Sequence, residues 1–286
     1  QRTSVDLPDP DSPMITKISL VRTAMFRNKQ LIGGLTMFFF QFPIQAGFFF
    51  VVPLFLSVAL GLSAIDTGIR LLPLSLTLLA AAIGIPKLFP QVSPRLVVRL
   101  GLLSLLAGTV VLLGGLDADA GAEIVFVPML LVGLGIGALA SQLGAVTVSA
   151  LPDDQSPEVG GVQNTMTNLG ASLGTALAGS LLIATLTTSF LTNVQQSEAI
   201  PASVKEQAQV ELAGGIPFIS DADLETALDE AGATSATTEA AVDANADARL
   251  DGLRSALAIL AVLAVLALFL AQSIPTRPPG SVERRE

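Results

Sequence analysis

The stretch "FFFQFPIQAGFFFVVP", residues 38–53, decides the fold, because it contains few polar side chains and no charged ones. Phe residues stand on both sides of a patch that contains Gln41, Pro43, Gln45 and Gly47. This density of apolar side chains is typical of a segment that crosses a lipid bilayer. The two glutamines then need an explanation, because a carboxamide that faces hydrocarbon without a hydrogen-bond partner is costly.

The composition of the whole chain agrees with a membrane protein. Of its 286 residues, 51% are hydrophobic and 14% are charged, whereas an average soluble domain has about 25% charged residues. Cys and His are absent, which removes the commonest metal ligands and the commonest proton shuttle. We therefore expect no enzyme, no metal site and no cofactor. The net charge of −9 gives no basic face for nucleic acid.

Uncharged intervals locate the membrane spans. The chain has six such intervals of 16–39 residues, and a helix needs about 20 residues to cross the hydrocarbon core. The alternatives are a soluble helical bundle, disfavoured by the low charge, and a membrane barrel, disfavoured because period-two alternation is missing. We predict an all-α integral membrane fold, a six-helix transmembrane bundle, with spans at about 31–57, 65–86, 96–116, 124–150, 161–189 and 253–273.

Basic residues are shared unequally between the two sides of these spans. One side collects eleven and the other three, Lys205, Arg249 and Arg254. The positive-inside rule places the richer side in the cytoplasm, with both termini there as a linker at 1–29 and a tail at 275–286. The eleven are Arg2, Lys17, Arg22, Arg27, Lys29, Lys87, Arg95, Arg99, Arg277, Arg284 and Arg285.

Residues 191–251, called here the acidic segment, carry twelve acidic and two basic residues. They separate spans five and six, so we expect them outside the cytoplasm. Ser203 with Glu206, and Ser220 with Asp223, have the spacing of helix capping boxes. We predict a small helical extracytoplasmic insertion of two or three short helices; disorder is the alternative for a segment this polar.

Polarity differs between the spans. The third and sixth contain almost only Leu, Val, Ala and Gly, so both can face lipid. Gln41 and Gln45 share one helix face, and Pro43 invites a bend; we expect this face to line a cavity, although hydrogen bonds across a helix interface are the alternative. The residues predicted to line the cavity are Gln41, Gln45, Phe38, Phe48, Phe49 and Gln142.

Small residues predict close helix contacts in spans four and five. Gly133, Gly137 and Gly144 fall on one face of span four. Gly170 and Gly174 form a small-xxx-small step in span five, which favours tight packing of another helix. In the same span Asn164 and Asn168 are four residues apart. For this pair we favour structural hydrogen bonding over contact with a substrate.

Two charges lie close to the start of the second span. Ser63 and Asp66 have capping-box spacing, and Asp66 and Arg70 have the spacing of an ion pair along a helix. Ionisable residues in membrane spans are functional candidates. We expect a structural ion pair, with an outer gate or coupling element as the alternative.

Three stretches resemble a known family. "FRNKQLIGGL" (26–35), "LFLSVALGLSAIDTGIRLLPLS" (54–75) and "SPEVGGVQNTMTNLGASLGTALAGSLL" (156–182) resemble the C-terminal half of the fourteen-span drug–proton antiporters of the major facilitator superfamily. The resemblance covers about 20–190 and 250–274. The Ala-, Leu- and Gly-rich composition resembles that of actinobacterial proteins, which implies a bacterial plasma membrane.

The resemblance implies a role for each span. In that family the first and fourth helices of each half line the cavity, the second and fifth form the interface between halves, and the third and sixth face lipid. By position, Gln41, Gln45 and Gln142 would line the cavity. Asp66, Arg70, Asn164 and Asn168 would lie at the interface or gate. The implied partners are an N-terminal half missing from this chain, the bilayer, an amphipathic small molecule and protons.

Two features depart from the family pattern. "PKLFPQVSPRLVVR", residues 86–99, keeps the basic residues of a cytoplasmic signature loop but has no acidic partner for them. No Asp, Glu or His lies in the middle of a span, so proton coupling is assigned to the missing half. Since the chain begins with Gln1, we expect a processed or truncated product.

The leading hypothesis is the C-terminal half of a proton-coupled multidrug efflux transporter that works by alternating access. One alternative is a half-size membrane protein that pairs with itself or with another half. The other is a membrane protein without transport activity whose acidic segment binds a partner.

Overall fold

A computed structural model describes residues 25–152, 155–211 and 215–276. These residues form helices and the turns that join them, and no strand occurs within the three ranges. The predicted linker at 1–29 and tail at 275–286 lie outside the described residues, except for 25–29 and 275–276.

Six of the helices in the described ranges are long and apolar enough to cross a membrane, which confirms the predicted all-α membrane fold. These are α1 to α5 and α8; α6 and α7 are short. A π-helical turn at Phe55–Ala59 continues α1. The helices are α1 Lys29–Leu54, α2 Ala64–Leu88, α3 Pro94–Gly115, α4 Phe126–Val148, α5 Ser156–Gln196, α6 Ala202–Glu211, α7 Asp221–Glu230 and α8 Ser235–Leu270.

Two helices extend well beyond the predicted spans. Helix α5 begins before the predicted 161 and ends after 189, and α8 begins at Ser235 rather than near 253. An uncharged interval marks only the part of a helix that can lie within the hydrocarbon core. The same helix can continue beyond the membrane into water. Residues 235–251 are rich in Ala, the best helix former, and contain no Gly or Pro, so the last quarter of the acidic segment belongs to α8.

The six long helices pack in two groups of three. In one group α4 packs against α2 and α3; in the other α5 packs against α1 and α8. Contacts of α1 with α4, and of α3 with α8, join the groups, and α1 also contacts α8 within the second group. A continuous apolar core lies between them and includes Phe48, Leu105, Met129, Leu139 and Leu257.

The two ends of the bundle differ in charge. At one end, called here the basic end, Asn28 Nδ2 donates to the carbonyl of Ala150 over 2.6 Å, and Arg95 Nε donates to the carbonyl of Ile274 over 2.7 Å. The acidic segment lies at the opposite end, where Arg254 donates to the carbonyl of Leu116 over 2.8 Å. Side chains at both ends thus tie distant helices together.

The acidic segment is helical and has its own apolar cluster. Ile200 and Ile216 pack with Phe190 of α5 and with Ala244 and Ala248 of α8. The capping box predicted at Ser220 is present, since its hydroxyl accepts from the backbone N–H of Asp223 over 3.1 Å. The box predicted at Ser203 is wrong, because α6 begins at Ala202 and Ser203 lies inside it.

Candidate transport site

The two glutamines of α1 keep unsatisfied polar atoms in a helix that is otherwise apolar. Gln41 is 3% exposed and Gln45 is half-buried. The Oε1 atom of each is buried and accepts no hydrogen bond from any described residue. Leaving a buried acceptor unpaired costs about 1–3 kcal/mol. The structure therefore does not show the hydrogen bonds across a helix interface that were the alternative for this pair.

Pro43 lies between these glutamines, and α1 runs through it as a continuous helix. Since proline has no N–H, the carbonyl of Phe39 one turn earlier lacks its usual partner in the helix. That carbonyl faces Gly170 of α5, where an added Cβ would lie 2.7 Å from it. A Cβ on Gly174 would overlap the carbonyl of Pro43. The two glycines therefore let α5 lie directly against the proline turn of α1.

The phenylalanines predicted to wall a cavity divide into two classes. Phe49 is 44% exposed, whereas Phe48 is 2% exposed and lies in the apolar core of the bundle. Phe38 is also buried, and its ring stacks on Phe42 with centroids 6.2 Å apart. In this conformation only Phe49 of the three presents much surface to a ligand.

Gln142 of α4 is half-buried and lies beside Ser141. Its Nε2 donates to the hydroxyl of Ser141 over 3.2 Å, and that hydroxyl donates to the carbonyl of Ala138 over 2.7 Å. Within the described residues no hydrogen bond joins Gln142 to Gln41 or Gln45. The structure thus holds Gln142 in a separate polar spot of its own helix.

Two glycines of α4 allow its backbone to pack closely against α2. A Cβ on Gly133 would overlap the carbonyl of Leu74, and one on Gly137 would overlap the carbonyl of Leu78. Gly144 differs, since an added Cβ would meet no atom within 4 Å. The close helix contact expected at Gly144 is therefore wrong for the residues that the structure describes.

Helix α5 presents small and polar residues on the side away from α1. Each of them is exposed, and they recur at spacings of three or four residues along the helix. Hydroxyl and amide groups on this face donate back to their own helix, as Asn168 does to the carbonyl of Asn164 over 2.9 Å. We call this surface the α5 stripe: Gly161, Asn164, Thr165, Asn168, Ser172 and Thr175.

Helix α2 presents large aliphatic residues in the same pattern. Its spacings also alternate between four and three residues, and each side chain is at least 49% exposed. Little of this helix is buried except against α4. We call this surface the α2 stripe: Ile65, Ile69, Leu72, Leu76, Leu79 and Ile83.

Asp66 and Arg70 lie beside the α2 stripe and are both exposed. Asp66 accepts a hydrogen bond from the hydroxyl of Ser63 over 2.6 Å, and its N–H donates to the same hydroxyl. The predicted capping box is therefore present. The predicted ion pair is not, because among the described residues Arg70 contacts no carboxylate. Both residues instead line an open cleft of about 520 Å³ that also includes Phe126 of α4.

A buried clamp in the acidic segment was not foreseen from the sequence. Arg249 of α8 is 3% exposed; it pairs with Asp221 at the start of α7 and donates to the carbonyl of Ile219 over 3.0 Å. Asn245, one turn earlier, donates to the other oxygen of Asp221 over 3.1 Å. The sequence did contain one signal for this clamp: Asn245 and Arg249 are four residues apart and so share one face of α8.

The carboxylates of the acidic segment do not converge on a metal site. Within residues 25–152, 155–211 and 215–276, no group of three or more Asp or Glu side chains is placed to hold a metal ion. Asp221 is occupied by Arg249, and Asp251 accepts from the hydroxyl of Ser189 over 2.7 Å. These two carboxylates tie α8 to its neighbours.

Comparison with known proteins identifies relatives over much of the chain. The family model of the Major Facilitator Superfamily matches residues 3–175. The tetracenomycin C resistance and export protein of Streptomyces glaucescens is 31% identical over 164 residues, which cover 57% of this chain and 30% of that protein. The uncharacterized transporter YebQ of Escherichia coli K12 is 32% identical over 133 residues, 46% of this chain and 28% of that protein. Each match covers less than a third of the relative's length.

Proposed function

The chain belongs to the major facilitator superfamily, and we propose that it forms the C-terminal half of a proton-coupled drug exporter that works by alternating access. It is a multi-pass membrane transport protein and not an enzyme. The relative from Streptomyces glaucescens is named for resistance to tetracenomycin C and its export. That name supports drug export as the activity of the complete transporter of which this chain would form one half, called here the parent protein.

The observation that carries the proposal is the pair of unpaired amide oxygens on α1. Gln41 and Gln45 lie one turn apart, and each keeps a buried acceptor unpaired at a cost of about 1–3 kcal/mol. A substrate that brings a hydrogen-bond donor would remove this cost. Gln45 and Phe49 have accessible surface, so they make the first contact, and Gln41 lies deeper. An amphipathic molecule with a cationic or other donor group fits such a site.

The second half of the transporter docks on the α5 stripe and the α2 stripe in this proposal. Small residues allow the backbone of another helix to approach closely within a bilayer. Thr165, Asn168 and Thr175 of the α5 stripe already donate within their own helix, so a neighbouring helix can cover them without breaking these hydrogen bonds. A substrate cavity would then lie between this bundle and its partner.

Proton coupling is assigned to that partner. The sequence places no carboxylate in the middle of a span, since Asp66 and Glu158 stand at the beginnings of α2 and α5. In this proposal this half binds the drug, and a residue of the other half carries the proton across the membrane.

The basic end of the bundle lies in the cytoplasm in this proposal, and the acidic segment lies outside. Lys29, Lys87, Arg95 and Arg99 all belong to the basic end, and the positive-inside rule assigns such an end to the cytoplasm. The membrane would be the plasma membrane of a bacterium, the kind of organism from which both relatives come.

Export of ethidium by cells that carry the parent protein tests the role of the glutamines. Replacing both, Gln41→Ala with Gln45→Ala, removes the two acceptors, and export should fall by about tenfold or more, since each hydrogen bond contributes about 1 kcal/mol. Gln272→Ala, at an exposed position of the basic end, is the matched control and should leave export unchanged. Unchanged export and binding in a double variant that is present at normal levels would mean that the glutamines do not line the cavity.

A further inference from the structure

A polar cleft lies between α7 and the first turns of α8, within the acidic segment. It encloses about 390 Å³, within the range of ligand clefts, roughly 300–1,000 Å³. A short turn, in which Gly232 has a φ of +74°, joins the two helices and lets α8 pack against α7. The lining includes Glu225 and Asp229 of α7 and Ser235, Thr238, Glu239 and Asp243 of α8.

The carboxylates of this cleft come as two pairs. Glu225 and Asp229 are four residues apart on α7, and Glu239 and Asp243 are four residues apart on α8. Residues at this spacing lie on one helix face, about 6 Å apart along the axis. All four side chains are exposed and line the same cleft. Each helix therefore presents two negative charges to one shared space.

No basic side chain of the described residues neutralises these carboxylates. Arg249 is paired with Asp221 and Arg254 with Asp251, while Lys205 donates to a backbone carbonyl over 3.0 Å. The basic residues of the acidic end thus have partners elsewhere. Like charges one helical turn apart destabilise a helix, so a positive charge within the cleft would relieve a repulsion on both of its walls.

A buried hydroxyl at the base of the cleft also lacks a partner. Thr238 is 7% exposed, and its Oγ1 forms no hydrogen bond with any described residue. Ser235, Thr238 and Val242 follow one another at spacings of three and four and all line the cleft, so they share the helix face that borders it. Threonine in a helix has two accessible χ1 rotamers. This hydroxyl can therefore turn to accept a hydrogen bond from a molecule in the cleft.

The lining selects a cation that carries several hydrogen-bond donors. It supplies carboxylates and hydroxyls and contains no basic residue. A metal ion does not fit, because no three carboxylates converge in the part of the chain that the structure describes. The paired carboxylates instead lie about 6 Å apart, which is roughly the distance that three or four carbon atoms place between two ammonium nitrogens. The half-buried side chain of Val242 offers an apolar contact for those carbon atoms.

We propose that this cleft binds a linear organic polyamine, whose ammonium groups pair with carboxylates of both helices and donate to the hydroxyl of Thr238. The site lies in the acidic segment, away from the glutamine face of α1. It does not depend on drug export or on which drug the parent protein moves. A bound polyamine would join α7 to α8 and stabilise the acidic segment.

Binding of spermidine to the 286-residue chain in detergent, measured by isothermal titration calorimetry, tests this proposal. Glu225→Gln with Glu239→Gln removes one carboxylate from each wall. The double variant should bind spermidine about tenfold or more weakly, because each substitution removes a charge-assisted hydrogen bond. The matched control, Glu198→Gln with Glu230→Gln, removes the same charge from exposed positions of the acidic segment that do not line the cleft, and should keep the affinity.

Thr238→Val separates a hydroxyl that serves a ligand from one that merely lacks a partner. Valine has nearly the same shape and removes a buried group without a hydrogen bond, so the free protein should melt at the same or a higher temperature. Its affinity for spermidine should nevertheless fall by about threefold to tenfold, the effect of one lost hydrogen bond. Circular dichroism of each variant measures the melting temperature and shows that the protein is folded.

Four results would overturn the proposal. Absence of spermidine binding to the unmodified chain would show that the cleft is not a polyamine site. Equal weakening by the two double variants would indicate diffuse attraction to the acidic segment. Displacement of spermidine by magnesium, but not by sodium at the same ionic strength, would identify a divalent metal ion as the occupant. An unchanged affinity in Thr238→Val would contradict the contact with its hydroxyl.

Discussion

The α2 stripe and the α5 stripe have the same spacing but opposite chemistry. Both run along helices that pack on only one side, against α4 in one case and against α1 and α8 in the other. The α2 stripe is made of Ile and Leu, whereas the α5 stripe is made of Gly, Asn, Thr and Ser. Exposure of a stripe in the six-helix bundle therefore does not show how much that surface gains from a protein partner, whereas its side-chain chemistry does.

Physical reasons separate the two surfaces. Aliphatic side chains in lipid and in a protein interface are nearly equivalent, because lipid tails are as apolar as leucine. Small residues gain packing contacts only when another helix lies against them. The α5 stripe thus has more to gain from a partner than the α2 stripe has.

The largest effect is expected on the inner side of α5, opposite its stripe. Gly174→Val would force a side chain into the carbonyl of Pro43, and overpacking of this kind costs about 3 kcal/mol or more when backbone must move. Gly161→Ala on the stripe meets no atom within 4 Å and should stabilise α5 slightly, because Ala is a better helix former than Gly. Thermal unfolding in detergent, followed by circular dichroism, measures both. Equal melting temperatures for the two variants would show that α5 does not depend on its contact with α1.

The second-largest effect is expected when matched substitutions are made in the two stripes. Ser172→Phe adds a ring to the α5 stripe, and Leu76→Phe changes one large side chain for another on the α2 stripe. In the parent protein, Ser172→Phe should lower ethidium export by about tenfold or more, since overpacking an interface costs about 1–3 kcal/mol. Leu76→Phe should lower it by less than about threefold. The comparison fails if the two variants lose export equally while both remain folded.

The smallest effect is expected within the α5 stripe itself. Asn168 Nδ2 donates to the carbonyl of Asn164 in its own helix, and an exposed bond of this kind contributes about 1 kcal/mol or less. Asn168→Ala should therefore change export by less than about fivefold, with Thr165→Ala as a control of similar size. A loss comparable to that of the double glutamine variant would place Asn168 in contact with the substrate instead.

Much of the fold follows from the sequence because lipid imposes simple requirements. Six uncharged intervals gave six long helices, and the capping boxes at Ser63 and Ser220 start α2 and α7 as predicted. The limits of α5 and α8 did not follow, because charge marks where a span leaves lipid but not where its helix ends. A short helix near residue 203 was expected from the local pattern, and α6 does occupy Ala202–Glu211, although it begins one residue before the predicted cap.

The site residues were harder to place, since exposure of a side chain depends on its neighbours. Gln41 and Gln45 were recognised because unpaired carboxamides are unusual in an apolar helix, and both keep an unpaired oxygen. Phe48 and Phe49 are adjacent and chemically identical, yet one is buried and the other exposed. Arg70 was expected to pair with Asp66, but the carboxylate accepts from Ser63 across a shorter loop of chain.

The measurement that tests the central claim most directly is the mass of the native protein extracted from its own membranes. An antibody raised against "RPPGSVERRE", residues 277–286, would identify it in both denaturing and non-denaturing gels. If the α5 and α2 stripes are covered by a second half, the non-denatured species has a mass of about twice 29.4 kDa or more, because each half supplies one bundle. The mass of the band on the denaturing gel then distinguishes one long chain from an assembly of two shorter chains. A native species of 29.4 kDa with only lipid bound would contradict the claim that this bundle is half of a transporter.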